Sequence, residues 1–193
     1  MLRLALVLAF CLVALPAFAQ TDPRAPRPTS PPDEVVPRGN GPTQTERVVG
    51  RVQVGEKAPD FELDAAGGSR FRLKQTRGQW LALFFTDRRE DLPRLEGYAH
   101  SLDSLKFRTV VVCNEHVHVL TAWKGTRTPM VTAVADDRGE ISAIYGLWDA
   151  EHGAIRPGLF LLDPQGIVKL ALLGQQVGAP SLPGLVQTAT SGL

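Results

Sequence analysis

WLALFFTDRREDLPRL, residues 80–95, decides the fold. Its first six residues, Trp80 to Phe85, are apolar without a break. A run apolar on both faces suits a strand buried in the middle of a sheet. Five charged residues, Asp87-Arg88-Arg89-Glu90-Asp91, then precede Leu92-Pro93-Arg94 and a helix. Asp91 reads as the N-cap of that helix, with Leu92 and Pro93 in its first turn. Leu92, Leu95, Ala99, Leu102 and Leu105 recur near the helical period, so this face should lie on the sheet. In an open α/β sheet, ligands and chemistry gather at the carboxyl end of a central strand. The turn after Phe85 is therefore the first place to look for a function.

Downstream, Phe107 to Cys113 is a second β-branched, mostly apolar strand. Strand, helix and strand without a hairpin make a parallel βαβ unit. A short helix over Val117–Lys124, a strand over Val131–Val134, a turn at Asp136–Gly139 and a short helix over Glu140–Tyr145 continue the alternation. Leu159–Leu162 and Ile167–Leu173 form a hairpin across Asp163-Pro164-Gln165-Gly166. Residues 179–193 read as a C-terminal tail, at best a short helix. Upstream, Val48-Val49 and Val52–Val54 read as a short edge strand. Phe61 and Leu63 alternate inward before the Gly67-Gly68 turn, and Phe71 and Leu73 alternate on the return. Strands alternating with helices and ending in a hairpin predict a three-layer α/β domain with a mixed sheet over residues 47–178.

Residues 1–19 read as a secretory signal peptide. Arg3 supplies the positive start, Leu4 to Leu15 an apolar core too short for a stable span, and Ala17-Phe18-Ala19 the small-x-small cleavage site. Cleavage before Gln20 leaves no stable membrane span and places the protein in the periplasm or outside the cell. It also removes Cys11, which lacks the small residue before it that a lipid-attachment cysteine needs. Residues 20–46 hold seven prolines among 27 positions and almost no large apolar side chains. They cannot bury enough surface to offset the entropy of ordering, so they read as a disordered tether. The chain carries 21 basic and 20 acidic residues, and loss of Arg3 balances them. That argues against nucleic acid or an anionic membrane as partner. Cys113, left alone, excludes an internal disulfide framework.

VGEKAPDFEL (54–63), a Gly-Gly turn, FRL (71–73), RGQWLALFF (77–85), VADDRGEISAIYGL (134–147) and IRPGLFLLDPQGIVKLALLG (155–174) together resemble the peroxiredoxin family of alkyl hydroperoxide reductases and thiol-specific antioxidant proteins. The resemblance runs from about Val54 to Gly174, in order. It implies a thioredoxin-like α/β/α fold around a central mixed sheet. It also implies reduction of hydroperoxides by a cysteine thiolate. In the family that thiol sits at the first turn of the helix after the central strand, where the helix N-terminus and an arginine lower its pKa. The family motif is P-x-x-x-T-x-x-C. Here Asp87 stands where the proline would, Asp91 where the threonine would, and Arg94 where the cysteine would. No cysteine occurs between Asp60 and Val112. The family's pocket arginine has a candidate in Arg156, although Pro157 also falls near that place.

Cys113 ends the strand beside the central one, at the same carboxyl edge. Two readings stand open: a relocated redox thiol, or a small buried hydrophobe at a strand end. Cys113-Asn114-Glu115-His116-Val117-His118 also reads as C-x-x-H-x-H, a copper- or zinc-binding pattern if Cys113 and His116 converge. His116 and His118 would be poor co-ligands on a helix, because positions two apart point in different directions. Arg88, Arg89 and Arg94 could hold an anion at the helix N-terminus, in competition with Asp87, Glu90 and Asp91. The expectation is an exported peroxiredoxin-like domain without peroxidase activity, acting as a binding or scaffold module without cofactor or metal. Its partner would be an unknown protein or a small molecule, and a homodimer through a sheet edge or the active-site turn is open. One alternative is a thiol-dependent antioxidant or oxidoreductase using Cys113, with Arg156 as a second catalytic candidate. Another is a copper or zinc accessory protein.

Overall fold

In a computed structural model, residues 52–191 are described. The expected signal segment at 1–19 and the tether at 20–46 lie outside them. The described chain gives nine strands and four α-helices: β1 (Glu62–Asp64), β2 (Arg70–Arg72), β3 (Trp80–Thr86), α1 (Leu92–Ser104), β4 (Phe107–Cys113), α2 (Val117–Lys124), β5 (Val131–Ala135), α3 (Glu140–Ile144), β6 (Trp148–Asp149), β7 (Ala154–Ile155), β8 (Gly158–Leu162), β9 (Val168–Leu173) and α4 (Leu182–Ser191).

A five-stranded mixed sheet ordered β5-β4-β3-β8-β9 forms the middle layer. β3 lies at its centre, parallel to β4 on one side and antiparallel to β8 on the other. The apolar run of 80–85 takes that position because both of its faces are covered. Ala82 and Phe84 join a core beneath α1, α2 and α4, while Leu81, Leu83 and Phe85 join a second core on the opposite face. There the β1–β2 hairpin and Tyr145, just after α3, close over the sheet. Tyr145 packs against Phe85 and Phe160 at centroid distances of 5.1 Å, and its phenol donates to the Pro59 carbonyl at 2.9 Å. The fold is thus the thioredoxin-like α/β/α arrangement expected.

The local differences have local causes. Val52–Val54 is not a strand: the chain there pins itself to the β8–β9 hairpin by Gly55 N–H donating to Val168 O at 2.8 Å. Leu105 is 45% exposed instead of facing the sheet, because α1 ends at Ser104 and Lys106 turns the chain with φ of 64°. The segment read as a tail becomes α4, which buries Leu182, Val186 and Ala189 against the α1 side of the core. The two-residue strands β6 and β7 are too short to leave a period in the sequence.

Candidate functional site

The carboxyl edge of β3 and β4 brings together Thr86, Asp87, Asp91, Arg94, Cys113 and Asn114. β3 ends at Thr86, which is buried and pairs with Cys113 in the parallel ladder. A 3-10 turn over Arg89–Asp91 then carries the chain into α1. Asp91 stands at the N-cap position with helical dihedrals, φ −78° and ψ −20°, and caps no backbone N–H with its side chain. Its carboxylate is used otherwise. The Thr86 hydroxyl donates to one oxygen at 2.6 Å, and the Arg94 guanidinium donates to the other at 2.9 Å. Arg94 also donates to the Gln176 side-chain carbonyl at 2.9 Å, and the Tyr98 hydroxyl donates to Val177 O at 2.9 Å. A strap at 175–177 is thereby tied across α1. Between strap, turn and Pro157 lies a cleft of about 20 Å³, room for little more than a water molecule.

Asp87 ties the neighbouring loops. Its carboxylate accepts from the Asn114 amide and from Ile155 N–H, each at 2.9 Å. Asn114 donates further to Gly153 O at 3.1 Å. The acids at the turn therefore act as internal anchors. The arginine anion site does not assemble: Arg94 is held by Asp91, and Arg89 donates to Glu90 at 3.3 Å. Thr86, Tyr98, Asn114 and Gln176 escaped the sequence reading. Thr86 alone left a signal, a lone hydroxyl between an apolar run and a charged turn.

Cys113 has no exposed surface. Its strand partners are Thr86 and Ala135, and its side chain belongs to the core beneath α1 and α2. Burial pushes its thiol up from 9.0 to about 12, and Glu115, Asp87, Asp91 and Glu90 add to the shift. A peroxidatic thiol needs the opposite setting, a nearby positive potential and access. Arg156 is exposed, and its guanidinium reaches only Gly146 O at 3.5 Å. It is not part of the cleft lining. Pro157, joined by a trans bond, is.

The metal pattern also comes apart. Cys113 faces the core, whereas His116 is exposed and pairs through Nδ1 with the Asp137 carboxylate. The two histidines do meet, with rings stacked at 5.5 Å and 17°. They do so because His116 is the extended N-cap of α2, φ −66° and ψ 146°, and not a helical residue. Among the described residues no group of three or more His, Cys, Asp or Glu side chains is placed to hold a metal ion.

Residues 54–171 match the AhpC/TSA family. The selenocysteine-containing peroxiredoxin PrxU of Peptoclostridium acidaminophilum is 31% identical over 140 residues, a match covering 61% of this chain and 66% of that protein. A peroxiredoxin of Thermoplasma volcanium is 30% identical over 136 residues, covering 61% and 64%. The chain thus spans just under two thirds of the length of these two relatives. The crystal structure of peroxidoxin BcpB from Mycobacterium tuberculosis superposes with a TM-score of 0.63 at 16% identity, over 73% of this chain and 98% of that one.

Proposed function

The chain belongs to the AhpC/TSA family, and from that premise we propose that it is an exported domain of thiol-dependent antioxidant or oxidoreductase chemistry, with Cys113 as its own thiol. The observation that carries this reading is the extent of the match. Residues 54–171 take in both strands whose carboxyl ends, Thr86 and Cys113, meet at the candidate edge. The relatives are named peroxiredoxins, which favours redox chemistry over the binding or scaffold role expected from the turn alone. Export rests on residues 1–19; the mature protein recovered outside the cytoplasm should begin at Gln20.

The setting of Cys113 fixes how that chemistry would run. With a pKa of about 12, roughly one thiol in 10⁵ is ionised at pH 7. Attack on a peroxide, giving a sulfenic acid and the corresponding alcohol or water, requires the edge to open first. The Asp91 anchor opposes that opening. This anchor is also the specific observation that favours a second reading, a binding module without peroxidase activity. Single-turnover reaction with hydrogen peroxide, followed by mass spectrometry, separates the two. Gain of one oxygen on Cys113, lost in Cys113→Ser and faster in Asp91→Ala, supports the redox reading. An unmodified Cys113 in both proteins over hours overturns it and leaves the binding module.

A further inference from the structure

An open hollow lies at the other end of the sheet from the peroxiredoxin edge. β3 and β4 run parallel, so their amino ends lie together, about 20 Å from Thr86 and Cys113 at 3.3 Å per residue. Here the end of α1 overhangs the start of β4 and leaves an open groove of about 400 Å³. That volume falls in the range of small-molecule sites. Phe107, Ala99 and the 38%-exposed Met130 give it apolar walls.

Two features of its polar lining have no partner in the fold. Asp103 and Lys106 are three residues apart and line the same groove, yet neither takes part in an ion pair among the described residues. Thr109 lines the groove as well, and its Oγ1 is the one buried side-chain polar atom among the described residues without a hydrogen-bond partner. Buried polar groups of native proteins are nearly always paired. A polar atom bound in the groove can supply the partner. Arg108 lines the groove as well, with its guanidinium 5.9 Å from the Phe71 ring centroid.

We propose that this groove binds a small zwitterion with an apolar body, of which a free amino acid with an aliphatic or aromatic side chain is the simplest. Its carboxylate meets Lys106, its ammonium meets Asp103, and its side chain lies against Phe107, Ala99 and Met130. Thr109 adds a hydrogen bond at the floor. The site is independent of the edge where Cys113 lies and of any redox activity there.

Isothermal titration calorimetry of the whole protein with leucine and phenylalanine tests this, beside N-acetyl-leucine, which lacks the ammonium, and leucinamide, which lacks the carboxylate. Saturable binding of at least one free amino acid is expected, weakened about tenfold or more in either analogue. Lys106→Gln should remove the preference for leucine over leucinamide, and Asp103→Asn the preference over N-acetyl-leucine. Both residues are exposed, so retention of the wild-type amide NMR spectrum separates lost binding from lost fold. No saturation by either amino acid up to about 10 mM overturns the proposal. Equal binding of N-acetyl-leucine also overturns it and leaves a plain anion site. Thr109→Val that binds as the wild type removes Thr109 from the site.

Discussion

Asp91 occupies the position of a helix cap and works instead as a clamp. Its two oxygens take the Thr86 hydroxyl from β3 and the Arg94 guanidinium from α1. The two bonds differ in worth. Thr86 is 4% exposed, and removing its acceptor leaves the buried hydroxyl only long contacts with the Arg88 backbone at 3.5 Å, a loss of about 1–3 kcal/mol. The Arg94 side chain is 40% exposed, and its pair with Asp91 contributes at most about 1 kcal/mol. Asp91→Ala should therefore lower the urea-unfolding free energy by about 1–3 kcal/mol, and Arg94→Ala by less. Equal losses would mean that the Thr86 bond is not the stronger one. Cys113 gives a pH dependence of defined sign. Its folded pKa of about 12 lies above its ordinary 9.0, so the neutral thiol is the form the fold favours. Its contribution is complete below pH 9 and is lost as pH rises through the folded value. The stability of the wild type relative to Cys113→Ala should fall by about 1.4 kcal/mol per pH unit between pH 9 and 11. A pH-independent difference would show that the thiol ionises as freely in the folded chain as in the unfolded one. The sequence offered Cys113 either as a relocated thiol or as a small buried hydrophobe at a strand end, and its burial fits the second, because the β4 ladder turns its side chain under α1.

The elements that were legible in the sequence are those whose burial is two-sided or periodic. β3 and β4 appear as apolar runs, and α1 as a stripe of leucines, because covering a sheet demands those patterns. What escaped is held by single contacts. The turn at Asp136–Gly139 was visible as a turn, but not its use as a platform. Asp136 accepts from the Ser142 N–H at 2.8 Å and the Ser142 hydroxyl at 2.7 Å, anchoring α3, while the Trp148 ring of β6 lies on Gly139. A Cβ at Gly139 would come within 2.1 Å of that ring, at a φ of 67°. Gly139→Ala should thus cost both a ring displacement and a strained backbone, together about 2–4 kcal/mol, read as a fall in the urea midpoint. Loss of under about 0.5 kcal/mol would show that Trp148 moves aside freely. The end of α1 offers the converse case. Lys106→Gly should stabilise by roughly 1 kcal/mol, because glycine adopts its positive φ without strain. A loss on that substitution would mean that the lysine stem is packed where only exposure is recorded.

At the scale of the molecule, the family's edge and the groove are separated by the length of the sheet, and α4 shares its core with Cys113 of that edge. It bears on the sheet's own integrity. Residues 182–191 begin Leu-Pro-Gly, a start that reads as loop in isolation, and only the sheet beneath them turns that segment into structure. α4 packs beside β9, with Leu182 and Val186 2% and 4% exposed in the core that also holds Leu92, Leu95 and Cys113. The strap before it is fixed to α1 by Tyr98 and Arg94. Burying a leucine and a valine side chain is worth about 1.5–3 kcal/mol each, and α4 shields further apolar surface of β9. A chain ending at Gly178 should therefore lose at least about 3–6 kcal/mol of unfolding free energy, much of the 5–15 kcal/mol typical of a domain. Its urea m-value should fall as well, since less surface is exposed on unfolding. The same truncation loosens the layer over Cys113. Alkylation of that thiol by iodoacetamide at pH 8 should then run faster than in the full chain at equal urea concentration, tracking the smaller opening free energy. An unchanged midpoint and an unchanged alkylation rate would together remove α4 from the core and return it to the tail that its sequence suggests.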